Sequence, residues 1–273
     1  MLPKINVMSD RPQISPPIET KPVPGQFYRV KTALNLYDSP ALEKLATQAA
    51  AGRYLHFLDL PEAHYSATEA DNQKTCNALT VRLWEDDYPG WLAIADLVHL
   101  QPTDPPSLPP LISAAEIQAR IPQVIAFCLQ AMQQPNYYLW GGTVGPNYDC
   151  SGLVQHSFAS QGIALPRDAY QQEAFVQPIP NPGSEPIDLI PNLIPGDLIF
   201  FGTPEKVTHV AIYLGEGKYI HSSGQQQGRN GIGIDSLHPE GDAVNSPTVR
   251  VTQAYYAQVR GAGRVVANFI PIG

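Results

Sequence analysis

Residues 138–152 read Tyr138-Leu139-Trp140-Gly141-Gly142-Thr143-Val144-Gly145-Pro146-Asn147-Tyr148-Asp149-Cys150-Ser151-Gly152. The run puts a cysteine at the mouth of an apolar segment, Leu153, Val154 and Phe158, which ends at Gly162, where a helix would stop. A helix N-terminus leaves backbone N–H groups unpaired and carries partial positive charge. Both favour a thiolate, so Cys150 is expected to have a lowered pKa. The same N–H groups can hold the oxyanion of a tetrahedral intermediate. The bland alternative for a cysteine is a small buried hydrophobe. Asp149, Ser151 and Gly152 make poor neighbours for such a core position.

Upstream, Ser113 with Glu116 three residues later forms a capping-box signature. Ile117, Ile121, Val124, Ile125, Cys128, Leu129 and Met132 then repeat at helical spacing, which makes Cys128 a structural thiol. The helix is expected to end near Gln134-Pro135. Downstream, Ala164 to Gln172 opens a second short helical piece, and Gln177 to Pro195 reads as a long loop with six prolines. Strands follow at Leu198–Phe201, Val207–Leu214 and Lys218–Ser223, then a Gln/Gly-rich loop from Gly224 to Gly233, with last strand material from Tyr256 to Val266. Helices first and strands after predict an α+β domain with an antiparallel sheet.

His209 and His221 lie on consecutive strands joined by Gly215-Glu216-Gly217. Counting from that turn makes them nearly cross-strand, so both imidazoles can share a face. One could take the thiol proton while the other holds it in the productive tautomer. The alternative is a pair of satisfied or exposed strand histidines. His56, His64, His99, His156 and His238 need no functional account.

Before the catalytic candidate, short β-like runs occupy Phe27–Val30, Leu34–Tyr37, Tyr54–Leu58, Leu79–Leu83 and Gly90–Ile94, broken by Asp38-Ser39-Pro40 and Tyr88-Pro89-Gly90. Only Ala41 to Ala51 has a hint of helical period. The runs predict a small all-β barrel over residues 25–101. Residues 1–24 form a proline-rich N-terminal arm. Residues 102–112 are a stiff linker, with five prolines between Gln101 and Pro110. Residues 113–273 complete a second domain.

The totals agree with two domains: 273 residues, 43% apolar and 15% charged. A net charge of −8 without a basic block excludes charge-driven binding to nucleic acid or an anionic membrane. Three scattered cysteines, Cys76, Cys128 and Cys150, are not a disulfide framework. No stretch is long and apolar enough to span a bilayer, and Met1 to Pro24 lacks the apolar run of a secretory signal. The expected location is the cytoplasm. Neither a metal nor a cofactor is expected. Oligomeric state is unreadable.

Taken together, Tyr138…Trp140-Gly141-Gly142…Asp149-Cys150-Ser151-Gly152…Pro195-Gly196-Asp197-Leu198…His209-Val210-Ala211-Ile212-Tyr213…His221-Ser222 resembles the NlpC-type bacterial cell-wall peptidases over about residues 115–265. Residues 33–40 (ALNLYDSP) and 86–100 (DDYPGWLAIADLVHL) resemble the bacterial Src-homology-3-type barrels found beside such domains. The resemblance implies a papain-like fold and a Cys-His-His triad, with Cys150 as nucleophile, His209 as general base and acid, and His221 orienting His209. Tyr138 is then a candidate oxyanion donor. The implied activity is hydrolysis of the γ-D-glutamyl–L-diamino acid bond, usually to meso-diaminopimelate, in peptidoglycan stem peptides.

Asp149 is either the N-cap of the Cys150 helix or, with Ser151, a site for the free amine of an N-terminal L-Ala. Tyr88 could close that subsite from the barrel. Trp140 is a further substrate-binding candidate. Arg167 is either a partner for a substrate carboxylate or a surface charge. The expected enzyme prefers released peptides, in murein turnover or recycling. Rival readings are a non-catalytic wall-peptide binder and an amidase or acyltransferase on the same scaffold. A zinc site on Cys150, His209 and His221 lacks any H-E-x-x-H or C-x-x-C support.

Overall fold

Alternation of inward and outward side chains builds the first domain. In the computed structural model, which describes residues 22–59, 77–238 and 247–271, it forms an antiparallel sheet of seven strands. These are β1 (Phe27–Val30), β2 (Leu34–Tyr37), β3 (Leu45–Ala49), β4 (Tyr54–Phe57), β5 (Ala78–Leu83), β6 (Pro89–Ala93) and β7 (Leu100–Thr103), in the order β3-β2-β6-β5-β4-β1-β7. Tyr28, Val30, Leu36, Leu55, Phe57, Leu79, Val81, Leu83 and Leu92 point into one core. Most of the expected N-terminal arm (residues 1–21), His64 and Cys76 lie outside the described residues.

Two expectations for this domain need correcting. The hint of helix between Ala41 and Ala51 gives way to β3, which pairs with β2 from Leu34–Ala49 to Tyr37–Leu45. Its alanines, leucine and glutamine favour helix in isolation, but Thr47 and Ala49 are small enough to be fully buried on the inner face. The barrel also runs past its expected end at 101, because Pro102 and Thr103 belong to β7. Proline is tolerated there because β7 is an edge strand.

The second domain opens with α1 (Ala114–Gln133). Ser113 accepts a hydrogen bond from the Glu116 N–H, and the Glu116 carboxylate answers the Ser113 N–H at 2.8 Å. Next come α2 (Cys150–Ala159) and α3 (Ala169–Phe175). A six-stranded antiparallel sheet follows, in the order β12-β11-β10-β9-β13-β8. Its strands are β8 (Gln177–Ile179), β9 (Leu198–Gly202), β10 (Val207–Gly215), β11 (Lys218–Ser223), β12 (Gly231–Ser236) and β13 (Val259–Arg264). A fourth helix, α4 (Pro247–Tyr256), lies between β12 and β13 in the chain.

Helices α1 and α2 bury Ile117, Ile121, Val124, Cys128, Leu153, Val154 and Phe158 against Leu198, Phe200, Val210, Ile212 and Ile220 of the sheet. Cys128 is a buried thiol of this core, pushed up to about 12 by burial. The proline-rich segment from 177 to 195 is not all loop, since it holds edge strand β8 and a 3-10 turn at Pro186–Asn192. Part of the expected Gly224–Gly233 loop belongs to β12, and Tyr256 ends α4 rather than opening a strand. Among the described residues, no helix is long and apolar enough to cross a membrane.

Candidate active site

Asp149 sets the position of Cys150. Its Oδ1 accepts the Gly152 N–H at 2.6 Å, which makes it the N-cap of α2, and its Oδ2 accepts the Gly141 N–H at 2.9 Å. Gly141 has φ +77°, a conformation that disfavours any side chain. A Cβ on Gly152 would collide with the Gly142 carbonyl, so glycine lets the first turn of α2 sit against the Trp140-Gly141-Gly142 loop.

Cys150 is therefore the first residue of α2 and is buried, with the backbone N–H groups of Val210 and Ser151 turned toward its thiol. Val210 follows His209 in β10, so the thiol lies against the strand that carries that histidine. The expected depression of its pKa is not found. Burial, and then the Asp149 carboxylate, push the thiol up to about 12, outweighing the helix terminus and the two N–H groups. The resting group is a neutral thiol.

His209 and His221 form a diagonal on neighbouring strands. The β10–β11 register pairs Ile212 with Ile220, so His221 falls opposite Ala211, two residues from His209. Their rings approach to 4.9 Å between centroids, and His209 Nε2 lies 2.6 Å from His221 Nδ1. The diagonal continues into β12. There Gly233 pairs with His221, and Asp235 Oδ2 lies 2.6 Å from His221 Nε2.

A carboxylate only accepts, so His221 Nε2 carries the proton and donates it to Asp235. Its Nδ1 must then accept from His209 Nε2–H, which leaves His209 Nδ1 bare. Burial and the neighbouring His221 hold His209 well below its ordinary value. Burial also lowers His221, against the opposing pull of Asp235. Both rings are neutral at rest. Arg229 Nη2 pairs with the other Asp235 oxygen at 2.7 Å. A side chain at Gly233 would collide with that guanidinium.

Cys150 opens into a cleft of about 460 Å³ between the domains. Tyr138, Trp140, Asp149, Ser151 and Arg167 line it from the second domain, and Tyr88 from the barrel. The Tyr138 N–H donates to Asn230 Oδ1 at 3.2 Å. Burial raises its phenol first and Cys150 second, so it stays protonated as a donor. Burial likewise raises Tyr88, whose hydroxyl meets the Asp168 carboxylate. Trp140 is exposed, with the Lys44 ammonium 5.6 Å from its ring centroid.

Arg167 is not a surface charge. It is 1% exposed, and its donors go to Asp149 (2.6 and 3.2 Å), Ser151 Oγ (2.9 Å) and Thr47 Oγ1 of the barrel (2.8 Å). The carboxylate it holds is that of the N-cap, because a guanidinium is buried only when paired.

Sequence reading missed Asp235, Arg229, Asp168, Thr47 and Tyr255. The signal for Asp235 was the apolar alternation Ile232-Gly233-Ile234-Asp235, which continues the hairpin count from His221. Arg229, Thr47 and Tyr255 had no local signal.

Residues 135–260 match the NlpC/P60 family, and residues 36–97 match the bacterial dipeptidyl-peptidase SH3 domain. Residues 135–260 are an NlpC/P60 domain. Over 90 residues the chain is 40% identical to the bifunctional muramidase/DL-endopeptidase CwlT of Bacillus subtilis, covering 32% of this chain and 25% of that protein. Over 88 residues it is 36% identical to the γ-D-glutamyl-L-lysine dipeptidyl-peptidase of the same organism, covering 31% and 27%. Over 104 residues it is 35% identical to the probable endopeptidase p60 of Listeria innocua, covering 38% and 19%. The chain thus spans about a fifth to a quarter of the length of these curated relatives. A solved NlpC/P60 family protein from Bacillus cereus is 23% identical, with a TM-score of 0.40, covering 88% of this chain and 63% of that one. In this NlpC/P60 domain, the cysteine of the family resemblance lines the cleft, and the two histidines are paired in the sheet against which its helix packs.

Proposed function

We propose that the chain is a cysteine endopeptidase that cuts the γ-D-glutamyl–L-diamino acid bond of peptidoglycan stem peptides. The observation that carries this is the buried line His209–His221–Asp235, in a sheet packed against the helix whose first residue, Cys150, opens into the cleft. The B. subtilis relative named for a γ-D-glutamyl-L-lysine dipeptidyl-peptidase supports the bond.

In this reading, His209 Nδ1 takes the Cys150 proton as the sulfur attacks the γ-carbonyl carbon. The oxyanion is held by N–H groups at the start of α2 and by the Tyr138 hydroxyl. As the C–N bond breaks, His209 returns the proton to the leaving amine. Water then gives a proton to His209, attacks the thioester and releases the γ-D-glutamyl product with a restored thiol. Because both rings start neutral, the imidazolium exists only during the reaction. His221 and Asp235 accept its charge through a fixed chain of hydrogen bonds.

The barrel sets which peptides enter. Tyr88 and Asp168 line the same cleft as Cys150, and Arg167 already compensates the Asp149 charge. An incoming free α-amine therefore meets the Tyr88–Asp168 pair, with Asp149 behind it. A stem still joined to glycan has no such amine. This favours released fragments with N-terminal L-Ala, as in turnover or recycling.

The test compares L-Ala-γ-D-Glu-diaminopimelate with its N-acetylated form, using wild type beside Cys150→Ala. Only the free peptide should be cut, and only by wild type. Equal cleavage of both would remove the amine subsite. Cleavage of neither would remove the endopeptidase.

A further inference from the structure

Tyr255, near the end of α4, lies on the reacting histidine. Its ring centroid is 4.4 Å from that of His209, with only 24° between planes, a stacked pair. The same ring turns its edge to His221 at 5.1 Å and 76°. It is fixed from two further sides. Phe201 of β9 meets it at 5.3 Å, and its hydroxyl lies 3.0 Å from Ser223 Oγ. Tyr255 is buried, so water does not reach the covered face of the imidazole.

The groups that face His209 can be named element by element. His221 comes from β11, with Asp235 of β12 and Arg229 behind it, and Cys150 of α2 is the partner of His209 in the proposed reaction. Tyr138 stands across the thiol, Phe201 of β9 is uncharged, and Tyr255 comes from α4. Asp235 is the only anion in this set besides the thiolate formed in the reaction, and Arg229 shares its charge. The electron-rich face of Tyr255 thus covers the plane of the His209 ring, while the His221 acceptor meets only its edge.

We propose that Tyr255 is a positioning residue that holds the plane of His209 and favours its protonated form while the thiolate exists. An aromatic face attracts a cation through its quadrupole, most strongly where water is excluded. The neutral ring gains only packing from the same contact. The stack therefore acts on the charged intermediate more than on the resting pair. This inference rests on Cys150 and His209 being the reacting pair.

The test measures the rate of Cys150 alkylation by iodoacetamide at neutral pH in the full chain, which needs no peptide substrate. The reacting thiolate is there the one paired with the His209 imidazolium. Tyr255→Phe should leave this rate near wild type. Phenylalanines carrying one, two and three ring fluorines at the same position keep the shape and weaken the π face. They should lower the rate stepwise. Tyr255→Leu should lower it further and cut peptide turnover roughly thirtyfold. If the leucine variant does not fold, the fluorine series alone decides.

An unchanged alkylation rate along the fluorine series would overturn the proposal. So would a Tyr255→Phe variant as impaired as the fluorinated ones, which would assign the effect to the Ser223 hydrogen bond. Failure of the underlying reading looks different, since alkylation of wild type would then be indifferent to His209→Ala.

Discussion

Two neutral rings and one carboxylate share a buried line from His209 to Asp235, and the carboxylate decides which way the protons point. Asp235→Asn keeps the shape but can donate to His221 Nε2, which flips the tautomer and breaks the chain to His209. Turnover by this variant is expected to fall at least roughly tenfold with little change in KM, read from steady-state kinetics on the free tripeptide. The lowered values of His209 and His221 make the fold sensitive to acid. Both rings are neutral in the folded state, so the unfolded chain binds more protons as pH falls below the ordinary value of 6.5. Their contribution is fully present above that value and is lost as pH falls toward the folded values. The Tm should drop steadily below pH 6.5 in calorimetry. For the same reason, the acid limb of kcat/KM should lie below 6.5.

At the scale of elements, the sheet does what neither histidine does alone, because β10, β11 and β12 set out the three groups on a diagonal. Gly233 belongs to that arrangement. Gly233→Ala forces the Arg229 guanidinium aside and leaves Asp235 with His221 as its partner. It should impair activity while far-ultraviolet circular dichroism stays unchanged. The start of α2 and the hairpin of β10 and β11 were legible because a polar N-cap, a Gly-Glu-Gly turn and apolar runs all agree locally. β3 was not, because Leu45-Ala46-Thr47-Gln48-Ala49 carries helix formers whose strand form depends on pairing with β2. α4 was hidden for the opposite reason. Thr248, Val249, Val251 and Thr252 are β-branched, yet Val251 and Tyr255, four apart, are both buried on one helical face. Asp235 sat on a strand whose glycines read as loop.

At the scale of the molecule, the domains are joined by hydrogen bonds between buried and half-buried groups, one of which, Arg167, also lines the cleft. Gln48 of β3 accepts the Thr143 and Val144 N–H groups at 3.1 Å, and its carbonyl accepts from Thr143 Oγ1 at 2.8 Å. Thr47 accepts from Arg167, and Gln155 of α2 donates to Asp86 of the barrel at 2.8 Å. Thr47→Val leaves a buried Arg167 donor unmet and is expected to cost about 1–3 kcal/mol in urea denaturation. Arg167→Met strands the Asp149 carboxylate in the interior and should cost about 3–5 kcal/mol.

The ion pair between Arg167 and Asp149 also gives the barrel a mechanical role. Thr47 grips the guanidinium, the guanidinium grips the carboxylate, and the carboxylate caps the helix that presents the sulfur. Any force that slides the barrel away pulls on that chain and slackens the turn carrying Cys150. The barrel is thus a latch as well as a wall: a molecule severed in its proline-rich linker would still own every reacting group, yet would cut only while the two pieces stay clasped.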